Sequence, residues 1–361
     1  MFFYLSQFKD LFFGFNIFRY ITFRAAMAGL TTFLFCMILG PMFIRWLQNM
    51  RLKEIAKRQD APGLDQFQKV KEGTPTMGGI FIVVSILLSV LLWADMTNCY
   101  VIFTTITCLY LAILGGVDDY VKLKGIGKHR GLSMRTKMFW EIFLGFFIGS
   151  YVYFSPNIPV DVTFPFLKFS MNIGWGYIFF AAFVIIGTCN AVNFTDGLDG
   201  LAIGCVLFAS LTLAVLSYIT GHALFSNYLL LPYIPGAGEL TVFCAAIAGA
   251  SLGFLWFNCQ PANVFMGDVG SLALGGTLGV IAIFIKKELL LPIIGGVFVL
   301  EALSVILQIG SFKLTGNRIF KMAPFHHHLQ LSGWKESKII IRFWILAVIF
   351  ALLALTTLKI R

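Results

Sequence analysis

The chain has 361 residues, of which 58% are hydrophobic and only 12% are charged, with a formal net charge of +10. Soluble globular domains contain about a quarter charged residues, so this composition excludes an ordinary soluble protein and predicts an integral membrane protein. The basic residues are dispersed along the chain, which argues against nucleic-acid binding. The expected environment is the lipid bilayer.

The apolar segments predict one all-α, polytopic membrane domain over residues 1–361. The aromatic-rich start lacks the pattern of a cleavable signal peptide, so we expect an interfacial segment there. A transmembrane helix needs roughly 20 mostly apolar residues. About ten segments meet or approach that length: 22–44, 77–93, 100–117, 138–154, 173–189, 201–219, 239–257, 271–285, 289–309 and 339–358.

The loops between these segments predict the orientation. One set, 45–76, 118–137, 190–200, 258–270 and 310–338, carries 18 Lys and Arg residues, and the opposite loops carry three. Because cytoplasmic loops are enriched in Lys and Arg, the first set is predicted to be cytoplasmic and both termini periplasmic. The same rule explains most of the lysines near the acidic motifs, so it singles out no lysine as catalytic.

Nearly all the concentrated polar sequence lies in these five loops. The first loop ends in GTPTMGG (73–79), just before a helix, and the second begins at Asp118 and Asp119. Adjacent carboxylates repel each other, which favours a bound cation, and Mg²⁺ prefers oxygen ligands together with substrate phosphates. One carboxylate could hold Mg²⁺ while the other accepts a proton; two solvated charges at a helix end are the alternative.

The acidic motif TDGLDG in the third loop precedes an apolar helix. Asp196 and Asp199 lie three residues apart in TDGLDG, close to Asn190 and Asn193. A helix N-terminus favours negative charge, so helix capping is one interpretation. Capping needs only one such residue, and the presence of two carboxylates and two asparagines therefore favours a functional site.

The fourth loop contains Asn258, Phe265 and, in FMGDVGS, Asp268. Asp268 could act as a helix cap, while Gly267 and Gly270 permit close backbone approach. Phe265 could stack on a nucleobase or anchor the loop at the membrane interface.

The fifth loop contains three consecutive histidines, His326, His327 and His328. Zinc is disfavoured because no cysteine or histidine lies nearby at metal-ligand spacing, and the carboxylates favour Mg²⁺ or Mn²⁺. We interpret the histidines as phosphate donors or proton-handling groups, with a solvated His-rich loop as the alternative. Glu141 and Glu301 lie inside apolar segments, where ionisable residues usually face a cavity; for Glu301 a structural hydrogen bond and a role in a groove both stay open.

At these motifs the sequence resembles the phospho-N-acetylmuramoyl-pentapeptide transferase family. The resemblance covers essentially the whole chain and rests on GTPTMGG (73–79), DDYVK (118–122), NAVNFTDGLDG (190–200), FMGDVGS (265–271) and MAPFHHH (322–328). Phe194, Gln330 and Glu72 depart from the residues usual in the family, and none of them belongs to the acidic centre.

The resemblance implies a reaction and its residues. UDP-MurNAc-pentapeptide would give its phospho-sugar to undecaprenyl phosphate with Mg²⁺ as cofactor, producing lipid I and UMP, at the cytoplasmic face of the bacterial inner membrane. Asp268 would ligate Mg²⁺, Asp118 and Asp119 would be catalytic and possible ligands, and His326 would be catalytic. The substrate-binding candidates are Lys71, Thr76, Lys137, Asn190, Asn193, Asp196, Asp199, Asn258, Phe265, Gln308, His327 and His328. The family also suggests a homodimer.

Two alternatives stay open at this point. The closest is a sibling enzyme that transfers GlcNAc-1-phosphate to the same lipid. A membrane transporter is the alternative from another class, since transporters also contain intramembrane acids and interrupted helices. It is disfavoured because the acids here lie at helix ends, and because no Walker sequence indicates ATP-driven transport.

Overall fold

The structure, a computed structural model, describes residues 1–10, 12–50, 73–124, 131–156, 158–167 and 169–359. Its α-helices are α1 Ile21–Asn49, α2 Gly79–Trp93, α3 Cys99–Lys124, α4 Met134–Phe154, α5 Gly176–Thr195, α6 Leu201–Thr220, α7 Ala223–Tyr228, α8 Leu240–Asn258, α9 Gly267–Phe284, α10 Leu291–Ile294, α11 Gly296–Thr315, α12 Phe325–Leu331 and α13 Glu336–Thr356. Short 3-10 helices cover Phe2–Phe8, Phe13–Arg19, Ala237–Glu239 and Thr357–Lys359. Strands β1 (Asp161–Thr163) and β2 (Ser170–Asn172) form an antiparallel hairpin between α4 and α5. The prediction of an all-α, polytopic membrane protein is confirmed, apart from this short hairpin, which was not predicted.

Nine of the predicted spans fall mainly on one helix each in the described chain, and 289–309 is divided between α10 and α11. Apolar segments in lipid form helices because they must satisfy their backbone hydrogen bonds internally. In the part of the chain that the structure describes, eight helices are long and apolar enough to cross a membrane. Of the described helices that match predicted spans, α2, with 15 residues, and α4, which has Arg135 and Lys137 in its first turn, fall outside those eight. The count of ten spanning helices and the periplasmic location of both termini therefore stay predictions.

The ninth predicted span, 289–309, is interrupted at a pair of glycines. α10 ends before Gly295, whose backbone is not helical (φ −94°, ψ 30°), and α11 begins at Gly296. A Cβ on Gly296 would lie 2.6 Å from Cδ2 of Phe350. The aromatic ring from α13 thus packs directly on the main chain at the break.

α9 lies at the centre of the bundle. Every residue from Val269 to Phe284 is buried, and the helix is rich in glycine where it meets α5. A Cβ on Gly275 would lie 2.6 Å from the carbonyl oxygen of Thr188. Small residues allow such close helix contacts in membranes, and this contact places the N-terminus of α9 among the ends of the surrounding helices.

The contact between α1 and α8 combines close backbone approach with a buried ion pair. A Cβ on Gly249 would lie 2.0 Å from the carbonyl oxygen of Gly29. Beyond this crossing, Arg24 is 1% exposed and places its two terminal nitrogens 2.6 Å and 2.5 Å from the carboxylate oxygens of Glu239. Arg24 also donates to the carbonyl oxygen of Trp93 at 3.1 Å. The guanidinium therefore connects α1, α2 and the start of α8.

A second buried charge follows the C-terminal end of α9. The ammonium of Lys286 lies 2.8 Å from Oε1 of Glu288 and 3.9 Å from the ring centre of Tyr177. Burial lowers the pKa of Lys286, and the neighbouring Glu288 and Asp161 partly oppose that effect. This cluster lies at the end of α9 away from Asp268, so it does not belong to the acidic centre.

Candidate active site

Asp118 and Asp119 lie near the C-terminal end of α3, and both are buried. Oδ1 of Asp118 accepts a hydrogen bond from the backbone N–H of Leu132 at 2.7 Å, and Oδ2 of Asp119 accepts one from Val269 at 3.2 Å. Buried charges are costly unless hydrogen bonds and opposite charges offset them. The alternative of two solvated charges at a helix end is therefore wrong.

Asp268, in the first turn of α9, is the point where three other helices meet. Its Oδ2 lies 2.8 Å from Nζ of Lys122 on α3 and 2.6 Å from Nζ of Lys137 on α4. Its Oδ1 accepts a hydrogen bond from Nδ2 of Asn193 on α5 at 2.8 Å. Since α9 has no side-chain cap, Asp268 serves these contacts and does not act as a helix cap.

Lys122 is a site residue that sequence reasoning did not single out. Its ammonium lies 2.9 Å from Asp118 Oδ2 and 3.8 Å from Asp119 Oδ1, in addition to its contact with Asp268. Its side chain is 41% exposed, whereas that of Lys137 is 16% exposed. Residues three and four apart share a helix face, so the spacing within DDYVK could have identified Lys122.

The segment GTPTMGG pairs with the loop before α9. Phe265 donates its backbone N–H to Pro75 at 2.9 Å and accepts one from Gly78 at 2.8 Å, and its side chain is half-buried. Gly267 has φ +73°, and a Cβ there would lie 2.5 Å from Oδ2 of Asp119 and 3.2 Å from the hydroxyl of Thr76. Glycine is therefore needed at 267 for both its conformation and its lack of a side chain, and Thr76 is brought beside Asp119.

The two asparagines near the end of α5 have different surroundings. Asn193 joins the centre, since its Nδ2 contacts Ser271 Oγ at 2.9 Å as well as Asp268. Asn190, about one turn earlier, donates to Oε2 of Glu141 at 2.7 Å. Glu141 is buried in α4, one turn beyond Lys137. The intramembrane Glu141 thus supports the asparagine next to the centre.

The TDGLDG turn is held by contacts other than helix caps. Asp196 is the C-terminal cap residue of α5, and α6 begins after Gly200 without a side-chain cap. Oδ2 of Asp199 accepts the N–H of Ala262 at 3.2 Å, and the N–H of Asp199 donates to Glu336 at 3.2 Å. Neither carboxylate caps α6, so the capping interpretation is wrong for this turn.

Asn258 ties the TDGLDG turn to the loop that leads to α9. Its Oδ1 accepts the N–H of Gly200 at 2.9 Å, and its Nδ2 donates to the carbonyl oxygen of Val264 at 2.8 Å. The side chain is 4% exposed. Both hydrogen-bonding groups of its amide are therefore engaged with the backbone, which shapes the two loops together.

We expect Asn258→Asp to lower the free energy of unfolding by about 1–3 kcal/mol, because the carbonyl oxygen of Val264 loses its donor and faces a carboxylate. Thermal unfolding in detergent measures this effect. Asn172→Asp is the matched control, since Oδ1 of Asn172 accepts the N–H of Gly174 and a carboxylate keeps that bond. Equal unfolding temperatures for Asn258→Asp and the control would contradict the assignment.

The histidine segment is divided between a buried and an outer part. His326 is fully buried and contacts the carboxylate of Glu301 through both its backbone N–H and Nδ1. His327 Nδ1 lies 2.8 Å from the side-chain oxygen of Gln330, and His328 Nδ1 accepts the N–H of Lys321 at 3.2 Å. The alternative of a solvated His-rich loop is therefore wrong for His326.

One described substrate-binding candidate, Gln308, lies apart from these contacts. Gln308 makes two hydrogen bonds with the backbone of Phe320, donating at 3.0 Å and accepting at 2.9 Å, and so holds the loop after α11. Lys71 lies outside the described residues. The structure thus brings together Asp118, Asp119, Asp268, Lys137, Asn193 and Thr76.

The donor atoms at this centre are of the type that Mg²⁺ prefers, namely oxygen atoms. Asp118 and Asp268 offer carboxylate oxygens, and the two lysines show that positive charge is favourable between them. No group of three or more acidic, His or Cys side chains converges as a complete cage within the described ranges. Mg²⁺ usually binds one or two carboxylates together with water and substrate phosphates, so Asp268 and Asp118 are the residues that fit.

Comparison with known proteins identifies related sequences. Residues 100–286 match the family described as glycosyl transferase family 4, and residues 71–83 match signature 1 of phospho-N-acetylmuramoyl-pentapeptide-transferase. A protein of that name from Thermodesulfovibrio yellowstonii is 50% identical over 361 residues, covering 99% of both chains. Another from Pelobacter propionicus is 50% identical over 349 residues, covering 96% of both chains.

Proposed function

Because the chain belongs to the phospho-N-acetylmuramoyl-pentapeptide-transferase family and is a membrane transferase of peptidoglycan synthesis, we propose that the centre around Asp268 is its active site. The single observation that carries this proposal is the convergence of four helices on Asp268 through Lys122, Lys137 and Asn193. Phosphoryl transfer depends mainly on positioning and charge neutralisation, and this centre offers fixed groups of both signs.

The family implies a nucleotide-sugar-peptide substrate and a lipid carrier. We propose UDP-MurNAc-pentapeptide as the donor and undecaprenyl phosphate as the acceptor, with lipid I and UMP as the products. Support comes from the location of the acids at the ends of membrane helices, where an acceptor with its tail in lipid can bring its phosphate to the centre. We propose that this end faces the cytoplasm in the bacterial inner membrane, and that the protein forms a homodimer.

In the proposed reaction, an oxygen of the acceptor phosphate forms a bond to the phosphorus that carries the sugar. The bond from that phosphorus to the oxygen bridging to UMP breaks, and UMP leaves with that oxygen. Asp118 takes the proton of a singly protonated acceptor phosphate. Lys122 is the more exposed of the two lysines, so it is the one placed to exchange its carboxylate contacts for phosphate contacts.

Mg²⁺ is the proposed cofactor; Asp268 would hold it, while Asp118 acts as the base. When bound, the ion neutralises charge on the diphosphate and favours departure of UMP. Asn193 and Lys137 keep Asp268 in place.

A covalent route is the mechanistic alternative, in which Asp118 or Asp119 accepts the phospho-sugar before the lipid does. Direct attack is our preference because Asp118 lies near the end of a membrane helix, where it can take a proton from an acceptor phosphate whose tail lies in lipid. Incubation with radiolabelled donor and no lipid acceptor tests this preference. A labelled protein adduct that discharges on addition of lipid would replace direct attack with the covalent route.

Purified protein in detergent tests the proposed function. We expect UMP release from UDP-MurNAc-pentapeptide in the presence of undecaprenyl phosphate and Mg²⁺, and loss of that release with EDTA that excess Mg²⁺ restores. UDP-GlcNAc in place of the muramyl donor is expected to give no product. Turnover with UDP-GlcNAc alone would instead support the sibling GlcNAc-1-phosphate transferase.

A further inference from the structure

Glu301 and His326 form a fully buried pair between α11 and α12. Both residues are 0% exposed. The backbone N–H of His326 donates to the carboxylate of Glu301 at 3.2 Å, and the imidazole Nδ1 lies 3.1 Å from Oε2 of the same carboxylate. One side chain thus fixes both the main chain and the ring of His326, and it leaves the ring a single orientation.

This contact determines the tautomer of the His326 imidazole, that is, which of its two ring nitrogens is the hydrogen-bond donor. A carboxylate accepts hydrogen bonds, so the Nδ1 that faces Glu301 must be the donor. The hydrogen bond at one ring nitrogen sets the state of the other. Nε2 is then the ring nitrogen that can accept a hydrogen bond.

Nε2 of His326 points at the TDGLDG turn. Within the described part of the chain it is buried and has no hydrogen-bond partner. A Cβ on Gly197 would lie 2.2 Å from Nε2 and 2.8 Å from Cε1. Gly197 itself is exposed, so only glycine main chain separates this nitrogen from the outer face of the turn.

We propose that Glu301 is a positioning residue that holds His326 in the Nδ1–H state, with Nε2 as its working nitrogen beneath Gly197. The absence of a side chain at 197 leaves room for Nε2 to reach a substrate group or a water molecule at the turn. This inference rests on the proposed transferase function, since it assigns the geometry by which His326 serves that site. It explains both the charged residue inside α11 and the glycine between the two acids of the turn.

Glu301→Gln tests the first half of the proposal. The amide can donate to Nδ1 as well as accept from it, so the fixed tautomer is lost. We expect kcat to fall about 10²-fold with KM changed less than about threefold, as for loss of a proton-transfer group. Histidine ¹⁵N NMR of labelled protein, with His326→Asn for assignment, should show a protonated Nδ1 in the unaltered chain and mixed tautomers in Glu301→Gln.

Two variants of α11 serve as comparisons. Ser304→Ala removes another buried polar group one turn away, whose hydroxyl donates to the carbonyl oxygen of Glu301; it should leave kcat and the tautomer unchanged. Glu301→Asp keeps the charge and should recover part of the activity. An unchanged tautomer and unchanged kcat in Glu301→Gln would overturn the proposal. Absence of turnover in the unaltered chain would instead contradict the proposed function, while the NMR result would still decide the tautomer.

Gly197→Ala tests the second half of the proposal. The added methyl group displaces the ring or the turn, so we expect kcat to fall at least about tenfold with the Nδ1–H tautomer retained. Gly187→Ala on α5 is the matched control, because a Cβ at 187 meets no atom within 4 Å. Full activity in Gly197→Ala would show that Nε2 does not act through this turn.

Discussion

Asp268→Asn is expected to lower turnover by at least about 10³-fold while the protein remains folded. The carboxylate of Asp268 accepts from Lys122 and Lys137 on one oxygen and from Asn193 on the other. An amide has only one oxygen, so its NH₂ group must face one of these donors. The variant also removes a charge from the proposed Mg²⁺ ligand. Transfer of radiolabelled phospho-sugar to the lipid measures the loss.

Asp95→Asn is the matched control for Asp268→Asn. Oδ1 of Asp95 accepts from the backbone and hydroxyl of Thr97, contacts that an asparagine can keep. This control should retain nearly full activity. If Asp268→Asn kept more than about a tenth of the turnover of the unaltered protein, Asp268 would not be the central carboxylate of the reaction.

The second large effect is on stability, at the buried ion pair between Arg24 and Glu239. Arg24→Met leaves the carboxylate of Glu239 without its cation and the carbonyl oxygen of Trp93 without a donor. Breaking one partner of a buried pair costs about 3–5 kcal/mol, because the remaining charge is uncompensated. We expect a clear loss of thermal stability in detergent, with activity per folded molecule little changed because the pair lies away from the acidic centre.

Two further variants separate the charge effect from other causes. Arg45→Met removes an exposed arginine from the same helix α1 and should change stability by less than about 0.5 kcal/mol. Arg24→Met combined with Glu239→Leu removes both charges and should restore much of the loss, since replacement of a whole buried pair is often nearly neutral. A single Arg24→Met variant as stable as Arg45→Met would show that the pair contributes no net stability.

Much of the fold could be predicted from sequence because most of the spanning helices coincide with long, mainly apolar segments. The acidic motifs at the ends of those segments also predicted which residues meet, and Asp118, Asp119 and Asp268 lie together as expected. The predicted span 289–309 did not include the break at Gly295, because the aromatic ring that packs beside it comes from Phe350, more than fifty residues later. Contacts between distant segments leave no local pattern.

The remaining differences have the same origin. Lys122 was attributed to the general excess of basic residues in cytoplasmic loops, although its spacing from Asp118 placed both on one helix face. The two hydrogen bonds by which Asn258 links Gly200 to Val264 could not be inferred from sequence. The sequence does not distinguish an asparagine that connects two loops from one that binds substrate. For Glu301, the sequence left open whether it makes a structural hydrogen bond or acts in a groove. The structure shows that its carboxylate contacts His326, which lies 25 residues later in the sequence.

The double hydrogen bond of Asn258 also bears on how this position can change over generations. A single base change in an asparagine codon gives Asp, His, Ile, Lys, Ser, Thr or Tyr. None of these carries a carbonyl oxygen and an NH₂ group on one carbon, which Gly200 and Val264 require together. Glutamine, the other amide, needs more than one base change and is longer by a methylene. Each substitution that a single base change can produce therefore leaves a buried backbone group without its hydrogen-bond partner. Replacement of Asn258 during evolution would require both loops to change conformation together.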